Sequence, residues 1–536
     1  NGTFGLKNII IEAQNKTNEF LNINHGEEFN ILEPNGNDFE NIWLLPSDKI
    51  SGKTKSFVDY QNDSTANDIK LALREGFKSI EHVKRYTTTG MATDQGKIGN
   101  MHALGIVSDV TNTKLGELGT TTFRPPYTPL SFGALVGRNV GQFFDIIRKT
   151  PMHNWHEKNN AKFENVGQWK RAWYYPINNE NMYDAVQRES KAARTKAGIL
   201  DASTLGKIDI QGSDASEFLN RVYTNAWNKL AIGKCRYGLM LNDDGMVYDD
   251  GVTTRLDENH YIMTTTTGGA ATVMGKLEDF LQTEWPELKV YLTSVTDHFA
   301  TVSVCGPHSK KILEKVVKNI DYSDKIFPHM SYKDGLVDKI KCRVMRISFT
   351  GELSYEINIQ ANYGQSVWEK CMEAGEEFGI TPYGTEAMHL LRAEKGFIIV
   401  GQETDGTVTP VDLQMDWIVS KKKYDFIGKR SLYRSDTMRK DRKHYVGLLT
   451  KDPKEVLEEG AQIVAEVENK PPMNMVGHVT SSYYSPNLNK SIALAVVKNG
   501  KKLKGKKLYV PMPNKIIEVT VSDTIFLDKE GNRLNA

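Results

Sequence analysis

The residues best placed to do chemistry lie in the stretch Tyr237-Gly-Leu-Met-Leu-Asn242-Asp243-Asp244-Gly245-Met-Val-Tyr248-Asp249-Asp250-Gly251. Leu239 and Leu241 run into an Asn-Asp-Asp-Gly turn and Val247 opens the return strand, so the spacing predicts a hairpin. Tyr237 and Asp250 then fall near facing ends of that hairpin, close enough to share a pocket. Successive strand residues point to opposite faces, so at most one of Asp249 and Asp250 enters a given cavity. The other is expected to be exposed or to cap. A carboxylate held within hydrogen-bond reach of an amine can orient it, accept its proton and stabilise a cationic intermediate. A solvated turn with edge carboxylates is the competing reading of the same residues.

Glu356 is a second candidate. Tyr355, Ile357 and Ile359 alternate with Glu356 and Asn358, which puts the carboxylate on the opposite face of a strand. Burying it unpaired costs roughly several kcal/mol, so it needs donors. Arg392 or Arg346 would satisfy it as a salt bridge, a ligand with adjacent N–H groups would do so bidentately, and exposure is the third outcome. His153 and His156 have a metal-compatible spacing but no third ligand at a recognisable distance in the sequence, and they read as helix-end or core histidines. No metal site is expected. Cys305, before Gly306-Pro307, reads as core, and neither a nucleophile elbow nor a Gly-rich dinucleotide fingerprint after a strand is present.

These side chains must be positioned by a chain of 536 residues, long enough for roughly three or four domains. With 39% hydrophobic and 25% charged residues, the composition excludes extended disorder. A formal net charge of +1 supplies no global field toward nucleic acid or an anionic membrane. Four cysteines without a CxxC pair argue against a zinc ribbon or a disulfide scaffold. Apolar runs such as Phe397-Ile398-Ile399-Val400 fall far short of the ~20 residues of a membrane span, and the start lacks a signal-peptide core, favouring a cytoplasmic chain. It also lacks an initiator Met, which suggests a processed or truncated product.

Residues 7–12 are an apolar run too short to type, and 13–56 read as a domain edge plus connector. Thr65-Ala-Asn-Asp68 approximates a capping box before Ile69, Ala72 and Leu73, and Ser79 can cap a second helix carrying Ile80, Val83 and Tyr86. The prolines of residues 119–129 predict a rigid linker. Beyond residue 135 helices and short strands mix, with a helix bearing Phe218, Leu219 and Val222 and a strand bearing Ala300, Val302 and Val304. After residue 440 short strands suggest a small terminal sheet. The lysines from 498 to 507 read as a solvated hairpin or a partner contact, not a nucleic-acid surface.

Taken together, Asp201-Ala-Ser-Thr-Leu-Gly-Lys207, Tyr237 to Asp250, Phe349-Thr-Gly-Glu352 through Glu356, Leu391-Arg-Ala-Glu394, Thr409-Pro410, Asp425-Phe-Ile-Gly-Lys429 and Gly477-His-Val-Thr-Ser481 resemble the glycine-cleavage T-protein (aminomethyltransferase) family. The whole chain resembles the C-terminal part of the alpha subunits of heterotetrameric sarcosine oxidases. Residues 57–99 are similar to a helical [2Fe-2S]-binding module whose cluster positions fall on Asp59, Gln61, Asp94 and Gly99; none is cysteine, so no cluster is expected. The opening residues resemble the tail of a dinucleotide-binding domain, so the resemblance implies an N-terminal truncation and NAD only in a missing domain. The implied class is α+β and multidomain. Residues 1–56 would be the remnant and connector, 57–118 the degenerate module, 119–149 a Pro-containing linker, 150–440 the T-protein-like folate-binding region and 441–536 a C-terminal β domain.

The resemblance further implies a tetrahydrofolate site. Asp250 would be catalytic, with Tyr237, Glu356, Phe349 and Arg392 binding the cofactor. Phe349 stands where the family has a pocket tyrosine, and Thr254 where some members have another. The implied activity is sarcosine oxidation with formation of 5,10-methylenetetrahydrofolate, with beta, gamma and delta subunits as partners and flavin in a partner subunit. An aminomethyltransferase acting on a lipoyl-bound group and a non-catalytic scaffold of the same fold are the alternatives.

Overall fold

The computed structural model describes residues 2–23, 41–46, 55–125 and 127–535. They divide into two compact units, residues 1–145 and 146–536. In the first, a helix spans Gly2–Leu21 and carries an exposed Lys16–Glu12 pair. It runs well past the short apolar run, through polar residues with no proline or interior glycine after Leu6 to stop it. Much of the expected connector up to residue 56 lies outside the described residues.

Three further helices, Ala66–Arg74, Ile80–Thr87 and Asn100–Thr111, bury Ile69, Ala72, Val83, Leu104 and Val107 in one small core. The capping box forms as read: Thr65 Oγ1 accepts the Asp68 N–H while the Asp68 carboxylate accepts from Thr65 N at 2.7 Å. The positions matched to cluster ligands lie together. Asp59 accepts hydrogen bonds from the backbone of Gln61, Asn62 and Gly90, and Gln61 accepts from Asp94 N at 2.9 Å. A Cβ on Gly99 would meet the Val58 carbonyl oxygen at 2.5 Å.

The Pro-containing segment is tied to the helices of its own unit. Asn100 donates to the buried Thr121, Lys84 donates to the Thr122 carbonyl, and Gln95 accepts from Arg124 N. Lys97 donates to the Tyr127 carbonyl and sits over its ring. Proline removes donors but leaves carbonyls and neighbouring amides, and these tie the segment to the helices.

The second unit is built on two sheets. The first has strand order Tyr291–Ser294, Gly206–Gln211, His260–Thr265, Val247–Asp257, Cys235–Leu241, all antiparallel. The second has order Ser331–Val337, Ile340–Arg346, Ser354–Gln360, Phe299–Cys305, Ala197–Asp201, Ile380–Pro382. Only its last pair is parallel. Helices Ala215–Val222 and Ala270–Gln282 bury Phe218, Leu219, Val222, Val273 and Leu277 against the outer face of the first sheet. Helices Ser309–Val316 and Gly364–Gly375 do the same for the second, over Val302, Val304, Ile357 and Ile359. The inner faces meet through Cys235, Val252, Ile262, Met345 and Ile347. Strand alternation therefore sends Asp250, Val252 and Thr254 inward from one sheet, and Glu356 and Asn358 inward from the other.

The last strands, within Lys443–Ser522, close into a six-stranded barrel around Val446, Leu448, Val479, Val497 and Val519. Closure leaves no sheet edge, where the sequence reading had only a small sheet. Three lysines of the basic run pair locally, Lys498 with Asp441, Lys504 with Asp523 and Lys507 with Glu518, the lysine side chains remaining largely exposed. No helix among the described residues is long and apolar enough to cross a membrane.

A buried ionic network ties barrel and sheets together. Arg194 reaches Glu352 and Glu394, each at 2.8 Å, with all three side chains almost wholly buried. Glu394 also accepts from Ser485 at 2.5 Å and Asn487 at 2.9 Å, both at the barrel's edge. Arg392 pairs with Glu403 at 2.9 Å and donates to Ser481, whose hydroxyl donates to Glu403.

Candidate functional site between the two sheets

The Tyr237 hairpin forms with Leu239 opposite Asp250 and Tyr237 opposite Val252. Tyr237 and Asp250 are thus diagonal neighbours on one face, within side-chain reach. The Tyr237 hydroxyl donates to Asp250 Oδ2 at 2.7 Å. The next residue, Gly251, has no room for a side chain, because a Cβ there would run into the Thr264 carbonyl on the adjacent strand. Burial pushes the Asp250 carboxyl up to about 7; the Tyr237 hydrogen bond opposes this and Asp249 adds to it. Tyr237 is itself raised well above the ordinary phenol value by burial and by Asp250.

Asp249 points to the opposite face, as alternation requires, but it is not exposed. It is 1% exposed, accepts from Asp250 N at 2.9 Å and caps the Thr266 amide. Gly269 lets its other oxygen approach the start of helix Ala270–Gln282, since a Cβ there would lie 2.6 Å from Asp249 Oδ2. Burial raises the Asp249 carboxyl to about 6, against the downward pull of the Asp250 and Thr266 hydrogen bonds.

Glu356 sits between Ser303 and Met345 on neighbouring strands. Burial raises its carboxyl to about 7, against a pull downward from Lys207. Neither arginine considered from sequence neutralises it. Arg346 is committed to Asp324 and the Phe327 carbonyl, and Arg392 to Glu403, Ser481 and the Phe397 carbonyl. The cation facing Glu356 is Lys207, which is 2% exposed and donates to the Ser203 and Leu205 carbonyls at 3.0 Å. Burial lowers its ammonium to about 8, partly offset by Glu356, Asp201 and Asp297.

The two inner faces touch at Thr254. Thr254 donates to Cys235 Sγ at 3.2 Å and contacts Met345 Sδ at 3.8 Å. Cys235 precedes Tyr237 on the same face of its strand, and Met345 is the cross-strand neighbour of Glu356. Phe349, two residues beyond the inner-layer Ile347, is 38% exposed, with its ring stacked on Phe397 at 6.3 Å. Arg392, wholly buried, has no hydrogen bond or ion pair to Tyr237, Asp250 or Glu356 among the described residues; it fixes Phe397 through its carbonyl at 2.9 Å. His156 is a core histidine, bonded to Asp201 at 3.0 Å and to the Tyr175 hydroxyl at 2.9 Å. Sequence reasoning missed Lys207 and Glu352 as partners. A lysine alternating with buried Ile208 and Ile210 was the available signal for the first.

The inner layer therefore offers a tyrosine-oriented carboxylate with a free Oδ1, and a second carboxylate without a hydrogen-bonding partner among the described residues. Both are held near neutrality by desolvation. Their raised values have a consequence for stability. Below about pH 4 the groups are protonated in both folded and unfolded chains. Between about 4 and 7 the folded chain holds protons that the unfolded one has released, so stability is lost as pH rises through this window. Asp250→Asn and Glu356→Gln are each expected to flatten that fall and to raise ligand-free stability at pH 8 by about 1–2 kcal/mol. Urea unfolding at pH 5 and pH 8 checks this, and an unchanged pH slope in both variants would contradict it.

Residues 152–423 match the GCVT N-terminal domain family, and residues 443–528 match the glycine cleavage T-protein C-terminal barrel domain. The chain belongs to the glycine-cleavage T-protein family. Residues 53–138 match the sarcosine oxidase A3 domain. Among curated relatives, the chain is 53% identical over 499 residues to the sarcosine oxidase subunit alpha of Corynebacterium sp. (strain P-1), covering 92% of this chain and 52% of that one. It is 44% identical over 499 residues to the sarcosine oxidase subunit alpha of Rhizobium meliloti (strain 1021), covering 92% and 50%. The chain thus spans about half the length of these relatives. The fold also matches the crystal structure of the glycine cleavage system aminomethyltransferase T from Bartonella henselae, with a TM-score of 0.62, 24% identity and coverage of 72% and 99%.

Proposed function

We propose that this chain is the folate-dependent one-carbon-transfer part of a sarcosine-oxidase-type alpha subunit. It would deliver the carbon released by oxidative demethylation of sarcosine as 5,10-methylenetetrahydrofolate. The observation that carries the reading is the inner layer itself, in which Tyr237 orients Asp250 on one sheet and Glu356, on the other, is desolvated with no hydrogen-bond donor among the described residues. The high similarity to two sarcosine oxidase alpha subunits and the A3-type first unit favour this over a free-standing aminomethyltransferase. Beta, gamma and delta subunits, with flavin among them, complete the proposal, and NAD belongs to it only through a dinucleotide-binding domain outside this chain.

The residues present fit a reduced pterin. Such a ring carries adjacent N–H groups, and a desolvated carboxylate without a donor is what would bind them through charge-assisted bonds. Reduced folate supplies a nucleophilic amine nitrogen that takes up the one-carbon unit. Glu356 would hold the ring, Phe349 would cover its rim, and Tyr237 would keep Asp250 in one rotamer. Asp250 Oδ1 is free of hydrogen bonds among the described residues and would accept the amine proton, for which a value near 7 is well matched.

Titration of the chain with a reduced folate tests the reading. Saturable binding is expected, weakened about 10- to 100-fold in Glu356→Gln, where charge-assisted bonds are lost. Absence of binding by the wild-type chain would withdraw the folate site.

A further inference from the structure

The loop from Ile347 to Leu353 joins the strand Ile340–Arg346 to the Glu356 strand and carries Phe349. Its own bonds are few: Gly351 N donates to Ser348 Oγ at 3.0 Å and Glu352 N to Thr350 Oγ1 at 3.3 Å. What fixes it comes from elsewhere in the sequence: Arg194 on the Thr350 carbonyl, Gly306 N and Ser309 Oγ on the Leu353 carbonyl, and the segment Asp528–Asn535. Arg533 Nε donates to Glu352 at 2.6 Å and its Nη2 to the Arg194 carbonyl at 2.7 Å. Lys395 lays its stem against Gly351 and is held by the Asp528 carbonyl at 2.5 Å and its carboxylate at 3.2 Å. At the other end of the loop Arg346 donates to the Leu534 carbonyl and to Asn535 Oδ1.

The segment is itself preshaped. Asp528 accepts from Asn532 N at 3.0 Å and Arg533 N at 3.2 Å, which winds the turn that presents Arg533. It begins where the match to the barrel domain ends, at residue 528.

We propose that Asp528–Asn535 is a strap that fixes the Phe349 loop over the inter-sheet site, with Arg533 as a positioning residue for the ligand. This rests on the folate reading for the identity of the ligand, but not for the clamp. Arg533 touches no site residue directly; it acts through Glu352. Part of its side chain reaches solvent, so the pair with Glu352 is moderate in strength and its removal loosens the loop without unfolding the barrel.

The test compares the full chain with Arg533→Ala, Arg533→Lys and a deletion of residues 529–536. Hydrogen exchange at residues 348–353 and affinity for tetrahydrofolate are the two readouts. Arg533→Ala is expected to speed loop exchange and weaken folate binding, each roughly fivefold, with the deletion larger and Arg533→Lys partly restored. The urea midpoint should hardly move, which a merely structural role would not allow. Unchanged loop exchange in both Arg533→Ala and the deletion overturns the strap. Faster exchange with unchanged folate affinity overturns its role in positioning. A wild-type chain that binds no folate removes the functional reading and that role together, whereas the exchange arm still decides the clamp.

Discussion

Asp250→Asn is expected to slow folate-dependent product formation by about 10²–10⁴-fold in the assembled oxidase while folate still binds. The side chain keeps its size and can still accept from Tyr237, so its surroundings keep their arrangement; what it loses is the ability to take a proton. The wild-type carboxyl, held near 7 by burial, is basic enough to accept that proton at neutral pH and acidic enough to pass it on. Flavin reduction by sarcosine is expected to survive the change, because that chemistry is proposed for another subunit. Product analysis with sarcosine and tetrahydrofolate supplied decides the point. Equal 5,10-methylenetetrahydrofolate formation by variant and wild type would remove Asp250 from the chemistry.

The largest effect on stability is expected from Arg194→Ala, at about 3–5 kcal/mol. Glu352 and Glu394 are 1% and 0% exposed and share this one guanidinium. Among the described residues, Glu352 would keep only Arg533, and Glu394 only the Ser485 and Asn487 donors. The cost is the stranded charge of two buried carboxylates. Urea denaturation at pH 7 measures it. A loss below about 1 kcal/mol would show that the network is not what joins barrel to sheets.

The Tyr237 hairpin was legible because its information is local: an Asn-Asp-Asp-Gly turn between alternating strands sets which residues share a face. The same locality made the Thr65 capping box and the Phe218 helix readable. The partners of Glu356 and Arg392 were not. Choosing between Arg346, Arg392 and a ligand needs the spacing of two sheets and the docking of the barrel, neither of which is coded within a few residues. The ties of the Pro-rich segment were not legible for a related reason: its prolines report what the backbone cannot do, not which distant side chains will bind its carbonyls.

By itself, then, the order of residues determined the local geometry that presents Tyr237 with Asp250, the placement of Glu356 on one face of its strand, and the family. Tertiary structure alone decided that Lys207 is the cation opposite Glu356, that Asp249 is buried against a helix start, that Arg392 braces Phe397, and that Arg533 returns to clamp Glu352. Strand alternation and turn chemistry act over a few residues and can be read along the chain. Desolvation and ion pairing depend on what folding brings within a few ångströms, from positions that can lie hundreds of residues apart.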